Sequence, residues 1–176
     1  MGSPKALLPF EGTTFLDRLI QTCNQSGEEV VVVLGYHEAE IRAGVRCTAR
    51  FVRNPDPARG QLSSMQCGLA VIPGAAMFIP VDLPAVNPLT VHALLLEFSK
   101  GQYPVVAPRF DGRHGHPVCI ARCVVEELLA LPTTAQARDV IRKYRPQTLF
   151  VDVEDAAVLH DIDTPVEYRN LTESVR

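Results

Sequence analysis

What the chain lacks narrows its class before any motif is read. It has no Cys-x-x-Cys pair. Its five cysteines, Cys23, Cys47, Cys67, Cys119 and Cys123, are odd in number and scattered, the pattern of reduced thiols rather than of a disulfide frame or a thiolate zinc site. Most of them suit small core positions. It has no long Lys/Arg run, and a net charge of -3 offers no basic surface for nucleic acid, so any phosphate binding is local. No apolar run approaches membrane-spanning length, and Lys5, Glu11, Asp17 and Arg18 interrupt the start of the chain, which excludes a signal-peptide core. No repeat, low-complexity tract or linker divides the sequence. These absences predict a soluble, cytoplasmic protein with neither a membrane nor a nucleic-acid partner.

What is present suits one well-buried domain over residues 1–176, since the chain has 176 residues and is 47% hydrophobic. Thr13 or Thr14 can cap a helix running to about Asn24, with Phe15, Leu16, Leu19 and Ile20 on one face and Asp17 and Arg18 on the other. Glu29 to Gly35 is a β-branched run without polar alternation, which reads as a strand covered on both faces. A short helix follows at about His37–Ala43, a strand at Thr48–Val52, a helix at Leu62–Ile72 and a strand at Met77–Val81. Pro88 opens a helix to Phe98. Strands at Tyr103–Ala107 and Pro117–Ala121 flank the turn Asp111-Gly112-Arg113. Helices at Cys123–Leu131 and Thr134–Tyr144, a strand at Thr148–Val153 and a helix at Val166–Thr172 complete the chain. Strands separated by helices predict an α/β fold with a mostly parallel sheet and helices on both faces.

Four polar stretches invite a chemical reading. The run Met77-Phe78-Ile79-Pro80-Val81-Asp82-Leu83-Pro84 ends a buried strand in a carboxylate, where open α/β sheets bind ligands. Pro84 stops the chain from continuing in regular form. On this segment alone, Asp82 serves equally well as a cap for the next helix. In Asn54-Pro55-Asp56-Pro57-Ala58-Arg59-Gly60-Gln61-Leu62-Ser63-Ser64, Gly60 and two serines stand at a helix start, where free N–H groups attract anions. A Pro-rich turn with a serine cap reads the same way. His160-Asp161-Ile162-Asp163-Thr164-Pro165 places two more carboxylates between a strand and a helix. With Asp82 they form an oxygen set suited to Mg²⁺ that leaves positions for phosphates, although singly each is a turn or cap residue. In Gly112-Arg113-His114-Gly115-His116-Pro117 the two histidines lack a third metal ligand, and His116, held between Gly115 and Pro117, reads as a rigid ligand contact. Lys5 alone carries little information.

Taken in order, Pro4-Lys5-Ala6-Leu7-Leu8-Pro9-Phe10 with Gly12-Thr13, then Asn54-Pro55 with Gly60 and Ser63-Ser64, then Val81-Asp82-Leu83-Pro84, then Gly115-His116-Pro117, then Asp161-Ile162-Asp163-Thr164-Pro165 resemble the motifs of the molybdenum cofactor nucleotidyltransferases. The Pro-Lys and Gly-His-Pro elements are closer to the CTP:molybdopterin cytidylyltransferase branch. The resemblance implies a Rossmann-like three-layer fold and Mg²⁺-dependent transfer of CMP from CTP to molybdopterin, with release of pyrophosphate. It implies Asp82 and Asp163, with Asp161, as metal ligands, and Lys5 beside the reacting phosphates. It implies nucleotide contacts from Asn54, Gly60, Ser63 and Ser64. Pro84, Gly115, His116 and Pro117 would line the acceptor side, and a molybdoenzyme or its chaperone would receive the product. Two other readings stay open: another NTP or a sugar-phosphate or small phosphorylated acceptor, and a non-catalytic pterin-binding or chaperone-like module.

One departure stands out. The family's opening strand and its loop of the type Leu-Ala-Ala-Gly-x-Ser-x-Arg have no counterpart here. The expectation is a sheet whose first strand is missing, with an unfilled slot beside Val30–Leu34 and Phe78–Val81. Either the chain is a shortened form with weak or absent catalysis, or another segment covers those edges.

Overall fold

The structure, a computed structural model, describes residues 4–25, 27, 29–132 and 134–173. In chain order the elements are β1 (Pro9–Phe10), β2 (Thr13–Thr14), α1 (Phe15–Asn24), β3 (Val31–Leu34), α2 (Glu38–Gly44), β4 (Arg50–Arg53), α3 (Gln61–Leu69), β5 (Ala76–Phe78), α4 (Pro88–Ser99), β6 (Val105–Phe110), β7 (Arg113–His114), β8 (Val118–Ile120), α5 (Arg122–Ala130), α6 (Ala137–Lys143), β9 (Thr148–Asp152) and α7 (Pro165–Glu173). Short 3-10 turns at Lys5–Leu7, Pro57–Arg59, Arg145–Gln147 and Ala156–Leu159 join them. Among the described residues, no helix is long and apolar enough to cross a membrane.

Helix starts follow local chemistry. Thr14 Oγ1 accepts a hydrogen bond from Asp17 N at 3.1 Å at the start of α1. Asn87 Oδ1 accepts one from Leu89 N at 2.9 Å, with Pro88 in the first helical position of α4. Both satisfy N–H groups that a helix end leaves free.

The sheet shows period-two burial on both faces. Val105 and Ala107 of β6, Val118 and Ile120 of β8 and Phe150 of β9 pack against α3, α5 and α6 through Leu69, Val124, Leu128 and Val140. The intervening Val106, Cys119, Leu149 and Val151 turn the other way, onto Leu94, Leu95 and Phe98 of α4. This is a three-layer α/β sandwich. Leu94 and Val106 are fully buried, and burying each such side chain is worth roughly 1.5–3 kcal/mol, which clamps α4 to the sheet.

Strand directions are mixed. β6 lies parallel to β9, with Val105 opposite Thr148 and Arg109 opposite Asp152. β8 runs antiparallel to both β5 and β6, so β5, β6 and β9 point one way and β8 the other. The turn at Asp111 and Gly112, both at positive φ, returns the chain at once, and a connection that short cannot deliver a parallel neighbour. β3 and β4 form a separate parallel pair. Among the described residues, β3 pairs only with β4 and β5 only with β8. The bridge between the two sheets is α3. Its Gly68 lies so close to β3 that a Cβ there would meet Val33 Cγ2 at 2.9 Å, and its Gln66 Nε2 donates to the Leu128 and Leu131 carbonyls at the end of α5, both at 3.0 Å.

Three local expectations shift. β5 ends at Phe78 rather than Val81 because Pro80 has no N–H for a ladder, so Asp82 occupies a turn beyond the strand rather than its last residue. β6 begins at Val105, after Pro104, and runs on to Phe110 through Pro108. The Pro108 carbonyl accepts from Gly115 N at 3.2 Å. N–H and C=O of one strand residue point the same way, so the missing donor faces the β7 hairpin rather than β9, and the parallel ladder survives. Asp17, placed by periodicity on the solvent side of α1, is buried instead, because residues 46 and 47 fold over it.

Candidate active site

Lys5 owes its position to its neighbours. The turn Lys5–Leu7 is closed by Leu7 N donating to Pro4 O at 2.9 Å. Ala6 is buried in a cluster with Leu16, Ile20, Leu34 and Ile41, and Leu7 packs with that cluster. With Ala6 turned inward, the Lys5 side chain projects outward and stays one-third exposed.

Asp82 is fixed from both sides. Val81 packs with the Leu34 cluster, while Leu83 and Val86, each at most 1% exposed, anchor the following turn under α4. The Asp82 carbonyl accepts from Ile162 N at 2.9 Å. Ile162 is itself buried among Phe10 and Phe15, so extended alternation puts Asp161 and Asp163 on the outward side of the same segment. Thr164 and Glu167 close that segment with a capping box. Glu167 Oε2 accepts from Asp163 N at 2.8 Å and Thr164 N at 2.7 Å, while Glu167 N donates to Thr164 Oγ1 at 3.2 Å. Those backbone donors, that of Thr164 first and that of Asp163 next, hold the Glu167 carboxyl below its ordinary range.

The three segments meet. The Lys5 ammonium donates to Asp163 Oδ1 and lies 3.9 Å from Asp82 Oδ2. The other oxygen of Asp82, Oδ1, is buried without a hydrogen-bond partner. Burial pushes the Asp82 carboxyl above its ordinary 3.8, and the charge of Asp161 adds to that. Lys5 pulls the other way, and Asp163 contributes a smaller upward push. Three carboxyl groups thus share this rim with one ammonium.

His116 borders the same place. Its ring meets Phe78 edge-on, with centroids 5.6 Å apart, and its backbone N–H donates to Val158 O at 3.0 Å. Burial pushes the imidazole below 6.5; the nearby Asp161 charge opposes that and His114 reinforces it. Gly115 is required by space, since a Cβ there would sit 1.9 Å from Val158 O. This close approach presses the 115–117 loop against the segment that leads into Asp161. Pro117 and Pro84 are both buried and shape their loops rather than present a surface.

The residues at the end of β4 form a second cluster. Asn54, 3% exposed, donates from Nδ2 to Ser63 Oγ at 2.8 Å and Ser64 Oγ at 2.9 Å, and its Oδ1 accepts from Asp56 N at 3.0 Å. Ser63 Oγ in turn donates to Gly60 O at 2.8 Å. These side chains are used in bracing the loop, and Ser63 is buried. Gly60, exposed and at φ +86, turns the chain into α3, and its own N–H donates to Pro57 O at 3.1 Å.

Two residues of this region escaped the sequence reading. Glu167 carries a readable signal, the Thr164-x-x-Glu167 capping pattern. The contact of Phe78 with His116 has none.

A profile of the MobA-like NTP transferase domain matches residues 1–148. This chain belongs to that family. It is a nucleotidyltransferase, near the molybdenum cofactor cytidylyl- and guanylyltransferases. The molybdenum cofactor cytidylyltransferase of Escherichia coli (strain K12) is 26% identical over 171 residues, spanning 96% of this chain and 86% of that protein. Nicotine blue oxidoreductase of Paenarthrobacter nicotinovorans is 28% identical over 172 residues, 92% of this chain and 84% of that protein. The crystal structure of Rv0371c from Mycobacterium tuberculosis H37Rv superposes with TM-score 0.85 at 27% identity, covering 98% of this chain and 90% of that one. That relative has also been solved with manganese, at TM-score 0.82.

A divalent cation suits the donors at this rim. Carboxylate oxygens are the ligands that Mg²⁺ and Mn²⁺ prefer, and the buried, unpartnered Oδ1 of Asp82 is an oxygen of that kind. Among the described residues no three His, Cys, Asp or Glu side chains already converge as a ligand set. The Lys5 ammonium stands between two of the carboxylates instead.

Proposed function

We propose that this protein transfers CMP from CTP to the terminal phosphate of a molybdopterin-type acceptor, with Mg²⁺ as cofactor. An oxygen of the acceptor phosphate attacks the α-phosphorus of CTP. The bond from that phosphorus to the bridging oxygen breaks, and pyrophosphate departs with the electron pair. Little covalent help is needed from side chains, so positioning and charge neutralisation carry the rate.

One observation carries this reading. Lys5, Asp82 and the Asp161–Asp163 segment, far apart in sequence, share one rim where a buried carboxylate oxygen has no partner. Asp82 and Asp163, aided by Asp161, would hold Mg²⁺, which when bound offsets charge on the reacting phosphates. Lys5 places an ammonium beside the same phosphates. The first turn of α3, set in place by Gly60, would offer its backbone N–H groups to the nucleotide, over a loop that Asn54, Ser63 and Ser64 keep rigid. His116, whose imidazole burial pushes below 6.5, would meet the acceptor. The similarity to the Escherichia coli cytidylyltransferase supports the choice of CTP and a pterin acceptor.

The test is pyrophosphate release from each NTP, with molybdopterin and with sugar phosphates as acceptors, in the presence and absence of Mg²⁺. The expected result is turnover with CTP and molybdopterin that needs the metal and falls at least about a thousandfold in Asp82→Ala. Full turnover by Asp82→Ala removes the assignment. Turnover with a different pair redirects it to that substrate class.

A further inference from the structure

We infer that Lys5 is the resident counter-ion of the Asp82/Asp163 pair, and that an arriving divalent cation expels its ammonium from between the two carboxylates. The ammonium then turns to the phosphates of the nucleotide. The last step rests on the proposed nucleotidyl transfer; the exchange itself rests only on the carboxylate rim.

The positions conflict directly. A divalent ion bridging Asp82 and Asp163 needs their oxygens at about 2.0–2.6 Å. The Lys5 ammonium already donates to Asp163 Oδ1 and faces Asp82 Oδ2 at 3.9 Å. Repulsion between a divalent cation and an ammonium grows as their distance shrinks and as water is excluded, so the two cannot share the gap. Lys5 also serves Asp82 incompletely, since Oδ1 is left buried and unpartnered. A divalent ion has the charge and the open coordination positions to take up such an oxygen.

The side chain is built to leave. Its backbone is held by the Lys5–Leu7 turn and by buried Ala6, while the four-carbon stem ends in a partly exposed ammonium. Rotation about the stem moves the charge by several ångströms, on the order of one side-chain length, without moving the turn. Lys5 therefore weakens the site for a bare cation and favours a cation that arrives with phosphate, because phosphate receives the displaced ammonium. Such coupling is reciprocal.

The test is titration of the wild-type protein and of Lys5→Met and Lys5→Arg with Mn²⁺ alone, followed by electron paramagnetic resonance of the free ion. Loss of one competing ion pair is expected to tighten Mn²⁺ binding in Lys5→Met about fivefold. Lys5→Arg, which keeps a cation, is expected to bind no tighter than wild type. A second readout is the side-chain ammonium nitrogen signal of Lys5, assigned by its loss in Lys5→Met, which is expected to shift on adding Mg²⁺. Equal or weaker Mn²⁺ binding by Lys5→Met, no Mn²⁺ binding by any form, or an ammonium signal unmoved at saturating Mg²⁺ overturns the exchange. Tighter binding by Lys5→Met from a protein that turns over no NTP leaves the exchange standing and sinks the proposed function. Turnover of CTP with unchanged Mn²⁺ affinity in Lys5→Met does the reverse.

Discussion

Two aspartates of this molecule lose water on folding and are treated in opposite ways. Asp17, 1% exposed, accepts from the backbone N–H of Arg46 at 2.9 Å and of Cys47 at 2.8 Å through Oδ1, and from the Thr14 hydroxyl at 2.9 Å through Oδ2. Burial pushes its carboxyl up, but the donors from Cys47, Arg46 and Thr14 outweigh that and leave it below its ordinary 3.8. Asp82 is less buried, yet one of its oxygens has no donor at all and its carboxyl is held above the ordinary range. A carboxylate that the fold satisfies is a staple, here tying α1 to the loop before β4. One left unsatisfied beside further negative charge costs stability and is kept where a cation or ligand completes it.

The comparison breaks most readily on catalysis. Asp82→Asn is expected to lower metal-dependent turnover about a thousandfold while circular dichroism stays that of the wild type. A conservative variant with normal turnover puts Asp82 in the same class as Asp17. Asp17→Ala leaves two part-buried N–H groups without their acceptor and is expected to cost about 2 kcal/mol in urea unfolding. Because the Asp17 pKa is depressed in the folded state, its contribution is present above pH 3.8 and lost as pH falls through the lower folded value. The difference in stability between wild type and Asp17→Ala therefore closes in acid.

The same contrast explains what could be read from sequence. The β-branched run before Gly35, the helix starts at Thr14 and Pro88, and the polar segments around Asp82 and Asp163 each announce themselves locally, so the layered α/β fold and the acidic rim were legible. The direction of β8 was outweighed by the βα rhythm, although the Asp111-Gly112 turn pointed to a hairpin. Asp17 was misplaced because periodicity sorts residues by polarity, and a carboxylate satisfied by backbone donors belongs inside. The residues Asn54, Ser63 and Ser64 illustrate the complementary limit. Composition shows that they can donate and accept, but only packing shows that they do so largely to one another.

A smaller effect reaches Asp163 through its neighbour. Glu167 fixes the backbone of Asp163 and Thr164. Loss of a residue that orients a metal ligand typically weakens metal affinity tenfold or more, so Glu167→Ala is expected to bind Mn²⁺ about tenfold more weakly. Glu167→Gln, which can still accept from both N–H groups, is expected to restore most of that affinity. Equal affinity in Glu167→Ala makes the capping box a feature of α7 alone.

The smallest effect has the opposite sign to the rest. With its folded pKa raised, the contribution of Asp82 to stability is fully present below the ordinary 3.8 and is lost as pH rises through the higher folded value. Near neutrality the wild type holds an ionised group that the fold disfavours, whereas Asp82→Asn does not. Asparagine forfeits the attraction across 3.9 Å to Lys5, but a partly exposed pair at that distance contributes little, and Lys5 keeps Asp163. Asp82→Asn is therefore expected to be more stable than the wild type at pH 7, read as a higher Tm. That gap should shrink toward zero as the pH is lowered to 3.8 or below, whereas a gain independent of pH would trace to packing and detach the stability cost from the charge that the site needs.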